Sequence, residues 1–330
     1  MKKTIKLATN GLEMPIVGLG TWRAQAQEVE NAVNLALENG YRHIDTAFNY
    51  NNEEFIGNVL KKWFDTNRIT REELFITSKL PNFGNRPSDV ERFLNLSLKK
   101  LQLDSLDLYL MHMPFSFHLN ETTMSPLIND DGTFSLDTTD YLDTWKVMEE
   151  QVRKGVVKSI GVSNFNSEQL QRLYENACIK PDVLQVELHA YLQQKELRDL
   201  CKKLNIAVTA YSPLGSPGAN KHFSSKYDYE LEDFPDILGH PEVKSLAEKY
   251  GKSPGQILLR HLVQQDVIVI PKSGNEQRIR DNINLFDFEL TPEDMEKLDT
   301  LDRGERGRIF HFLFFKGVEN HPYYPFNKKD

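Results

Sequence analysis

The chain has 330 residues, of which 39% are apolar and 27% are charged, which is typical of a soluble globular protein with a sizeable core. Its formal net charge of −8 gives no electrostatic reason to bind nucleic acid or an anionic membrane, so neither partner is expected. Two cysteines, Cys178 and Cys201, are too few for a disulfide framework or a cysteine-based zinc site. Residues 1–14 lack the apolar segment of a signal peptide and no window suits a membrane span, so the predicted location is cytoplasmic.

The predicted elements begin with a hairpin and then alternate between strands and helices. Residues 4–7 and 14–17 form the hairpin, because they flank Asn10-Gly11, the preferred pair of a type I′ turn. Eight short strands are predicted at residues 16–19, 41–44, 74–77, 106–111, 156–162, 183–186, 206–210 and 267–270. Amphipathic helices are predicted at residues 27–39, 52–64, 87–101, 141–154, 167–176, 194–203, 254–262 and 276–285.

This alternation predicts a closed (β/α)8 barrel of the TIM type, because strands of a parallel sheet are buried on both faces and eight units can close into a barrel. No linker or composition shift divides the chain, so one domain is expected over residues 1–330. Two long connections, 113–140 and 215–240, leave the C-terminal ends of strands, where barrel enzymes hold their active sites. We expect them to cover the site, together with an aromatic tail that begins at Arg303.

Ionisable side chains stand at the ends of three consecutive predicted strands. Asp45, Lys79 and His112 are separated by 34 and 33 residues, which is one strand–helix unit each, and Tyr50 lies in the loop after Asp45. A nearby ammonium lowers the pKa of a phenol from about 10 toward working pH, a carboxylate can hold the lysine, and a histidine can orient a substrate oxygen. This set suits proton delivery to a carbonyl, and it offers neither an evident nucleophile nor metal-ligand spacing.

Reduction of a carbonyl also needs a hydride, which no side chain supplies, so a nicotinamide cofactor is expected. Gly18-Leu19-Gly20 lacks the third glycine of a Rossmann fingerprint and gives no support for that fold. Lys272, Ser273 and Arg278, in contrast, surround the start of the last predicted helix. Helix amides and two cations form a candidate phosphate site, which would suit the additional phosphate of NADP.

Over essentially its whole length the chain resembles the aldo-keto reductase superfamily. The segments that carry the resemblance follow the family's order, and they are GLGTW, HIDTAFNYNNE, ITSKL, DLYLMHMP, GVSNFN, LQVELHAY, AYSPLGSPG, VIPKS with RIRDN, and HPYYPF. The aldose/aldehyde reductase branch is the most similar one, and the tail GRIFHFLFFKGVENHPYYPF is nearest to insect members. The resemblance implies a (β/α)8 barrel and a monomeric NADPH-dependent reductase of small-molecule carbonyl compounds.

The resemblance also assigns the site residues. Asp45, Tyr50, Lys79 and His112 match the catalytic tetrad, with Tyr50 as the proton donor. The positions that match cofactor contacts are Gly20, Thr21, Trp22, Ser212, Leu214 and Ser216 in the strap and channel, Asp45, Ser163, Asn164, Gln185 and Tyr211 around the nicotinamide, Lys272, Ser273 and Arg278 at the 2′-phosphate, and Asp281 and Asn282 at the adenine. Those that match the substrate pocket are Trp22, Asn49, Tyr50, His112 and Met113.

Departures from the family pattern fall at the substrate pocket and leave the substrate open. Met113 replaces a frequent tryptophan and should make the pocket more adaptable, and Phe48, Asn49 and Pro81 also differ from common choices. The substrate could be a steroid ketone such as 3-dehydroecdysone, a sugar, or a fatty or isoprenoid aldehyde. Two other functions stay open at this point: a non-catalytic NADPH-binding protein, and a barrel isomerase that uses Asp45 and His112 without a cofactor.

Overall fold

A sheet of eight parallel strands forms the centre of the computed structural model, which describes residues 3–230 and 234–326. The strands are Leu19–Gly20, His43–Asp45, Phe75–Leu80, Leu106–Met111, Val157–Ser163, Val183–Glu187, Ala207–Tyr211 and Ile268–Val269. A parallel bridge joins Val17 to Val269, with the Gly18 amide donating to the Val269 carbonyl over 2.9 Å. Because the first strand thereby meets the eighth, the sheet closes, and the predicted (β/α)8 barrel is confirmed.

Eight helices follow the strands and lie within two residues of their predicted bounds. They are Ala26–Glu38, Glu53–Asp65, Pro87–Leu101, Tyr141–Arg153, Ser167–Asn176, Lys195–Leu204, Pro254–Val263 and Glu276–Ile283. Their starts are encoded locally: Asn166 and Ser253 each form a capping box with a glutamine three residues later. Each helix buries an apolar face, such as Val90, Phe93 and Leu94 of the third, and this burial drives its packing on the barrel.

The predicted hairpin is present as Thr4–Lys6 paired with Glu13–Pro15, but the prediction of a type I′ turn is wrong. The Leu7 amide donates to the Leu12 carbonyl over 2.9 Å, so four residues make the turn, and Gly11 has a positive φ of 73° whereas Asn10 does not. The Asn10 side chain instead donates to the Lys158 carbonyl over 2.7 Å. This hydrogen bond joins the turn of the hairpin to the N-terminal end of the fifth strand, Val157–Ser163.

Three further helices, Ala219–Tyr227, Pro241–Tyr250 and Pro292–Asp299, were not predicted. The first lies inside the long connection 215–240, of which residues 231–233 are outside the described part of the chain. The other long connection contains short antiparallel pairs, Ser116–Phe117 with Leu136–Asp137 and Leu119–Asn120 with Ser125–Pro126. In the described ranges, no helix has the length and apolar character needed to cross a membrane.

Candidate active site

Asp45, Lys79 and Tyr50 form a hydrogen-bonded chain at the C-terminal end of the barrel. Asp45 ends the second strand, and Lys79 lies one residue before the end of the third. The Lys79 ammonium, which is completely buried, donates to Asp45 Oδ1 over 2.5 Å and to the Thr46 carbonyl over 2.9 Å. Its Nζ lies 3.5 Å from the Tyr50 hydroxyl. Because a buried charge needs a partner, the carboxylate is what allows this ammonium to sit beneath the phenol.

His112 follows the fourth strand and packs edge-on against Tyr50, with 5.8 Å between the ring centroids. Its Nδ1 is buried and has no hydrogen-bond partner among the described residues. Burial, and then the positive charge of Lys79, hold the pKa of His112 well below its ordinary value. The imidazole is therefore neutral at physiological pH and can orient a substrate oxygen without adding a charge.

The pKa of Tyr50 differs from the sequence prediction in its net direction. Burial raises this pKa above the ordinary value of a phenol, whereas the Lys79 ammonium acts in the opposite sense and offsets only part of the rise. For Lys79, burial acts to lower the pKa, but Asp45 and Tyr50 outweigh it and raise the value. The prediction that the phenol becomes acidic is thus wrong for the site in this structure, because removal of the phenol from water dominates. The proton stays on Tyr50 at neutral pH.

Amide and hydroxyl groups beside the tetrad form a second network. Gln185 donates to Asp45 Oδ2 over 2.8 Å, and the Ser163 hydroxyl donates to the Gln185 carbonyl over 2.8 Å. The Tyr211 hydroxyl donates to Asn164 Oδ1 over 2.8 Å. Asn164 has a left-handed φ of 64°, which turns the chain at the end of the fifth strand. The structure thus brings together the five residues that were expected to surround a nicotinamide.

One cavity of about 940 Å³ connects the tetrad with the expected phosphate site. The residues predicted to bind cofactor or substrate line it with a single exception, Asp281, whose carboxylate accepts from Gln277 over 2.8 Å. At the far end, Asn275 caps the helix Glu276–Ile283, and Arg278 Nε donates to the Ser273 hydroxyl over 3.4 Å. The Lys272 ammonium pairs with Glu28 over 2.6 Å.

Aromatic side chains from the tail form much of the remaining wall. Phe310 lies 5.5 Å from both Trp22 and Tyr211, measured between ring centroids. Phe314 stacks on Phe223 of the helix Ala219–Tyr227 at 5.0 Å. This arrangement is the cover predicted for the tail and the second long connection.

Several lining residues were not identified from the sequence. Among them are Arg23, Glu28, Asn82, Met124, His222, Phe223, Lys226 and Tyr227. Glu28 and the residues of the added helix reach the cavity only through tertiary packing, and no local motif marks them. Asn82 accepts from the predicted pocket residue Asn49 over 3.3 Å, and its place just after SKL was the one available signal. Within the described ranges, no group of three His, Cys, Asp or Glu residues is arranged to hold a metal ion.

Comparisons with known proteins agree with this geometry. The model of the Aldo/keto reductase family matches residues 16–303. Aldo-keto reductase family 1 member A1 of Gallus gallus is 47% identical over 324 residues, covering 96% of each chain, and that of Homo sapiens is 45% identical over 333 residues, covering 99% of each.

Two solved structures have the same fold as this chain. The aldose reductase of Schistosoma japonicum has a TM-score of 0.88, 39% identity and full coverage of both chains. A Bombyx mori aldo-keto reductase in complex with NADP has a TM-score of 0.83, 39% identity and 98% coverage of both. From the family match, these relatives and the site geometry, we conclude that the chain belongs to the aldo/keto reductase family.

Proposed function

We propose that this protein reduces aldehydes and ketones to alcohols with NADPH. The observation that carries the proposal is the hydrogen-bonded Asp45–Lys79–Tyr50 chain, which opens into the same cavity as Lys272 and Arg278. The NADP bound to the Bombyx mori relative and the reductase names of the vertebrate relatives support it. No contact among residues 3–230 and 234–326 specifically favours a dedicated steroid reductase or a non-catalytic binding protein, so we propose the general reaction.

The residues present suit a dinucleotide phosphate. Two cations, a hydroxyl and the start of a helix stand at one end of the cavity, and this set is what an anionic phosphate requires. Amide and hydroxyl groups stand at the other end, where Ser163, Asn164 and Gln185 would hold a carboxamide and Tyr211 would support a flat ring. When bound, NADPH supplies the hydride that is added to the carbonyl carbon.

In the mechanism we propose, Tyr50 holds the proton that the carbonyl oxygen receives. Its raised pKa keeps the phenol protonated until negative charge develops on the substrate oxygen. Lys79, fixed by Asp45, then stabilises the phenolate that remains. The neutral ring of His112 directs the carbonyl oxygen toward Tyr50, and the aromatic cover excludes water. The phenol recovers its proton from solvent when the cover opens.

The test is the Tyr50→Phe variant, which removes the proton donor and keeps the ring. We expect the rate of NADPH oxidation with an aromatic aldehyde to fall by about 10²- to 10⁴-fold, the usual contribution of a positioned general acid. NADPH binding, measured by calorimetry, should stay within about twofold, since the phosphate end is untouched. Tyr174→Phe, a change on the outer helix Ser167–Asn176, is the matched control. Equal activity of Tyr50→Phe and wild type would refute the mechanism.

We further propose that the protein is a monomer built as one domain and that it acts in the cytosol. Among the described residues, the large apolar side chains that are exposed are Leu127 and Ile128, which are too few for a dimer interface. Both cysteines are free, as suits a reducing compartment. Light scattering after size-exclusion chromatography measures the oligomeric state directly, and a mass of about twice 38.2 kDa would contradict the monomer.

A further inference from the structure

The Glu28 carboxylate occupies the end of the cavity where the proposed function requires a phosphate. Its Oε1 accepts from the Lys272 ammonium over 2.6 Å, although the two residues are 244 positions apart in the chain. It also lies against the backbone of Gly274, because a Cβ on that glycine would be 2.8 Å from the same oxygen. The carboxylate therefore sits at the segment that leads into the helix Glu276–Ile283.

The charges around Glu28 are those that an anion would meet there. Burial lowers the pKa of Arg23, and the negative charge of Glu28 acts in the opposite sense, which shows that Arg23 is also within electrostatic reach. Arg278 differs from Lys272, because no carboxylate among the described residues forms an ion pair with it. Of the two cations assigned to the 2′-phosphate, one is thus already neutralised and the other is available.

We propose that Glu28 is an internal competitor of the 2′-phosphate and that it reduces the preference of this enzyme for NADPH over NADH. A phosphate that engages Lys272 has to displace the carboxylate or lie beside it, and both alternatives weaken the binding of NADPH. NADH carries a 2′-hydroxyl at this position, which can donate a hydrogen bond to a carboxylate. Glu28 therefore weakens the binding of NADPH and does not weaken that of NADH.

This inference rests on the proposed function, because it requires Lys272 to bind the 2′-phosphate. Both side chains are partly exposed, at 33% for Lys272 and 46% for Glu28, so the ion pair itself contributes little to folding. Glu28→Gln should accordingly give a folded protein whose cofactor affinities can be compared with those of the wild type.

The experiment compares dissociation constants of NADPH and NADH for the wild type and Glu28→Gln by calorimetric titration. We expect NADPH to bind about three- to tenfold more tightly to Glu28→Gln and NADH to bind equally or more weakly. The dissociation constant of NADH divided by that of NADPH should therefore increase. Glu38→Gln is the matched control, because it removes the same charge from the other end of the same helix, where Glu38 lies 3.5 Å from Arg68. An unchanged or smaller ratio in Glu28→Gln would overturn the proposal.

The double variant Glu28→Gln/Lys272→Ala separates competition from a general effect of charge. If Glu28 acts by pairing with Lys272, Glu28→Gln should not change the dissociation constant of NADPH further once Lys272 has been replaced. A change that persists in the Lys272→Ala background would refute competition. The single variant Lys272→Ala tests the underlying assignment, since it should weaken NADPH much more than NADH. Equal losses of affinity for NADPH and NADH in Lys272→Ala would show that Lys272 does not bind the 2′-phosphate. An unchanged ratio in Glu28→Gln would refute only the role of Glu28.

Discussion

At the residue scale, the site combines a half-buried phenol, Tyr50, with a buried imidazole, His112, and their pKa values are displaced in opposite directions. Burial raises the pKa of Tyr50 and lowers that of His112, since it disfavours the charged form of each. Both groups are therefore neutral over the physiological range, and the ammonium of Lys79 is the charge next to them, compensated by Asp45. Such a site can give a proton to a carbonyl without any preceding change of protonation.

These directions set the pH dependence of the reaction. The folded pKa of Tyr50 lies above about 10, so the proton needed for reduction is present at lower pH and is lost only as the pH rises through that value. His112, with a pKa well below about 6.5, should add no transition near neutrality. We expect kcat for reduction to be constant between about pH 6.5 and 9 and to fall at higher pH.

Steady-state kinetics with saturating NADPH and aldehyde over this range measure the profile. A tenfold decrease for each pH unit between about 7 and 9 would mean that Tyr50 ionises near neutrality, as the sequence alone had suggested. Kinetics in heavy water should then show whether proton transfer limits the rate.

The sequence was informative about residues whose positions follow from strand ends. Asp45, Lys79 and His112 were identified because equivalent positions of adjacent parallel strands meet at one end of a barrel. Glu28 gave no such signal, since its contact with Lys272 exists only once the first and last strands have closed the sheet. The net direction of the Tyr50 pKa was missed for a related reason: the effect of burial depends on how residues from distant parts of the chain, such as His112, pack around the phenol.

At the scale of elements, the tail is held to the barrel by a buried carboxylate. Glu187 ends the sixth strand and is completely buried. Its Oε1 accepts from the Ile309 amide over 2.8 Å and from His189 Nε2 over 2.9 Å, and its Oε2 accepts from the Phe310 amide over 2.9 Å. Because Phe310 packs against Trp22 and Tyr211, this carboxylate fixes part of the cavity wall.

We expect Glu187→Gln to loosen the tail while the barrel stays folded. A glutamine presents an NH₂ donor to backbone donors, which leaves buried groups unpaired at a cost of about 1–3 kcal/mol. Hydrogen exchange should therefore increase over residues 309–326, and KM for bulky apolar aldehydes should rise more than KM for small ones. Glu196→Gln, an exposed change in the next helix, is the control. Unaltered exchange of the tail amides would show that Glu187 does not anchor this segment.

The helix Ala219–Tyr227 illustrates why the position of the cover could be predicted from the sequence but its secondary structure could not. Only Ala219 and Phe223 of this helix are buried, and an apolar face this short does not distinguish a helix in the sequence. Its packing comes from tail aromatics, with the ring of Tyr227 lying 4.6 Å from that of Phe314. Composition therefore indicated aromatic cover, whereas the helical form depends on partners almost 90 residues away.

At the scale of the whole molecule, the two ends of the barrel have different tasks. The polar groups discussed above are at the C-terminal ends of the strands, and the hairpin closes the N-terminal end. The order of strands and helices was predictable because each unit has its own apolar pattern and caps. The barrel's closure was inferred from the number of units, and the bridge from Val17 to Val269 is its physical basis.

Because the two ends of the barrel are separate, a substitution at the N-terminal end should change the free energy of unfolding without changing catalysis. Asp182, buried at the N-terminal end, accepts from the Thr9 amide over 2.9 Å and from the Thr9 hydroxyl over 2.5 Å, and these bonds tie the hairpin to the barrel. Asp182→Ala removes both bonds, so we expect the free energy of unfolding to decrease by about 1–3 kcal/mol. The melting temperature should fall by a few degrees, as measured by circular dichroism, whereas kcat should change by less than about twofold.

Asp199→Ala, an exposed change on the helix Lys195–Leu204, is the control and should leave both quantities unaltered. A loss of kcat as large as that of Tyr50→Phe would show that the hairpin end of the barrel is coupled to the active site, contrary to the separation described above.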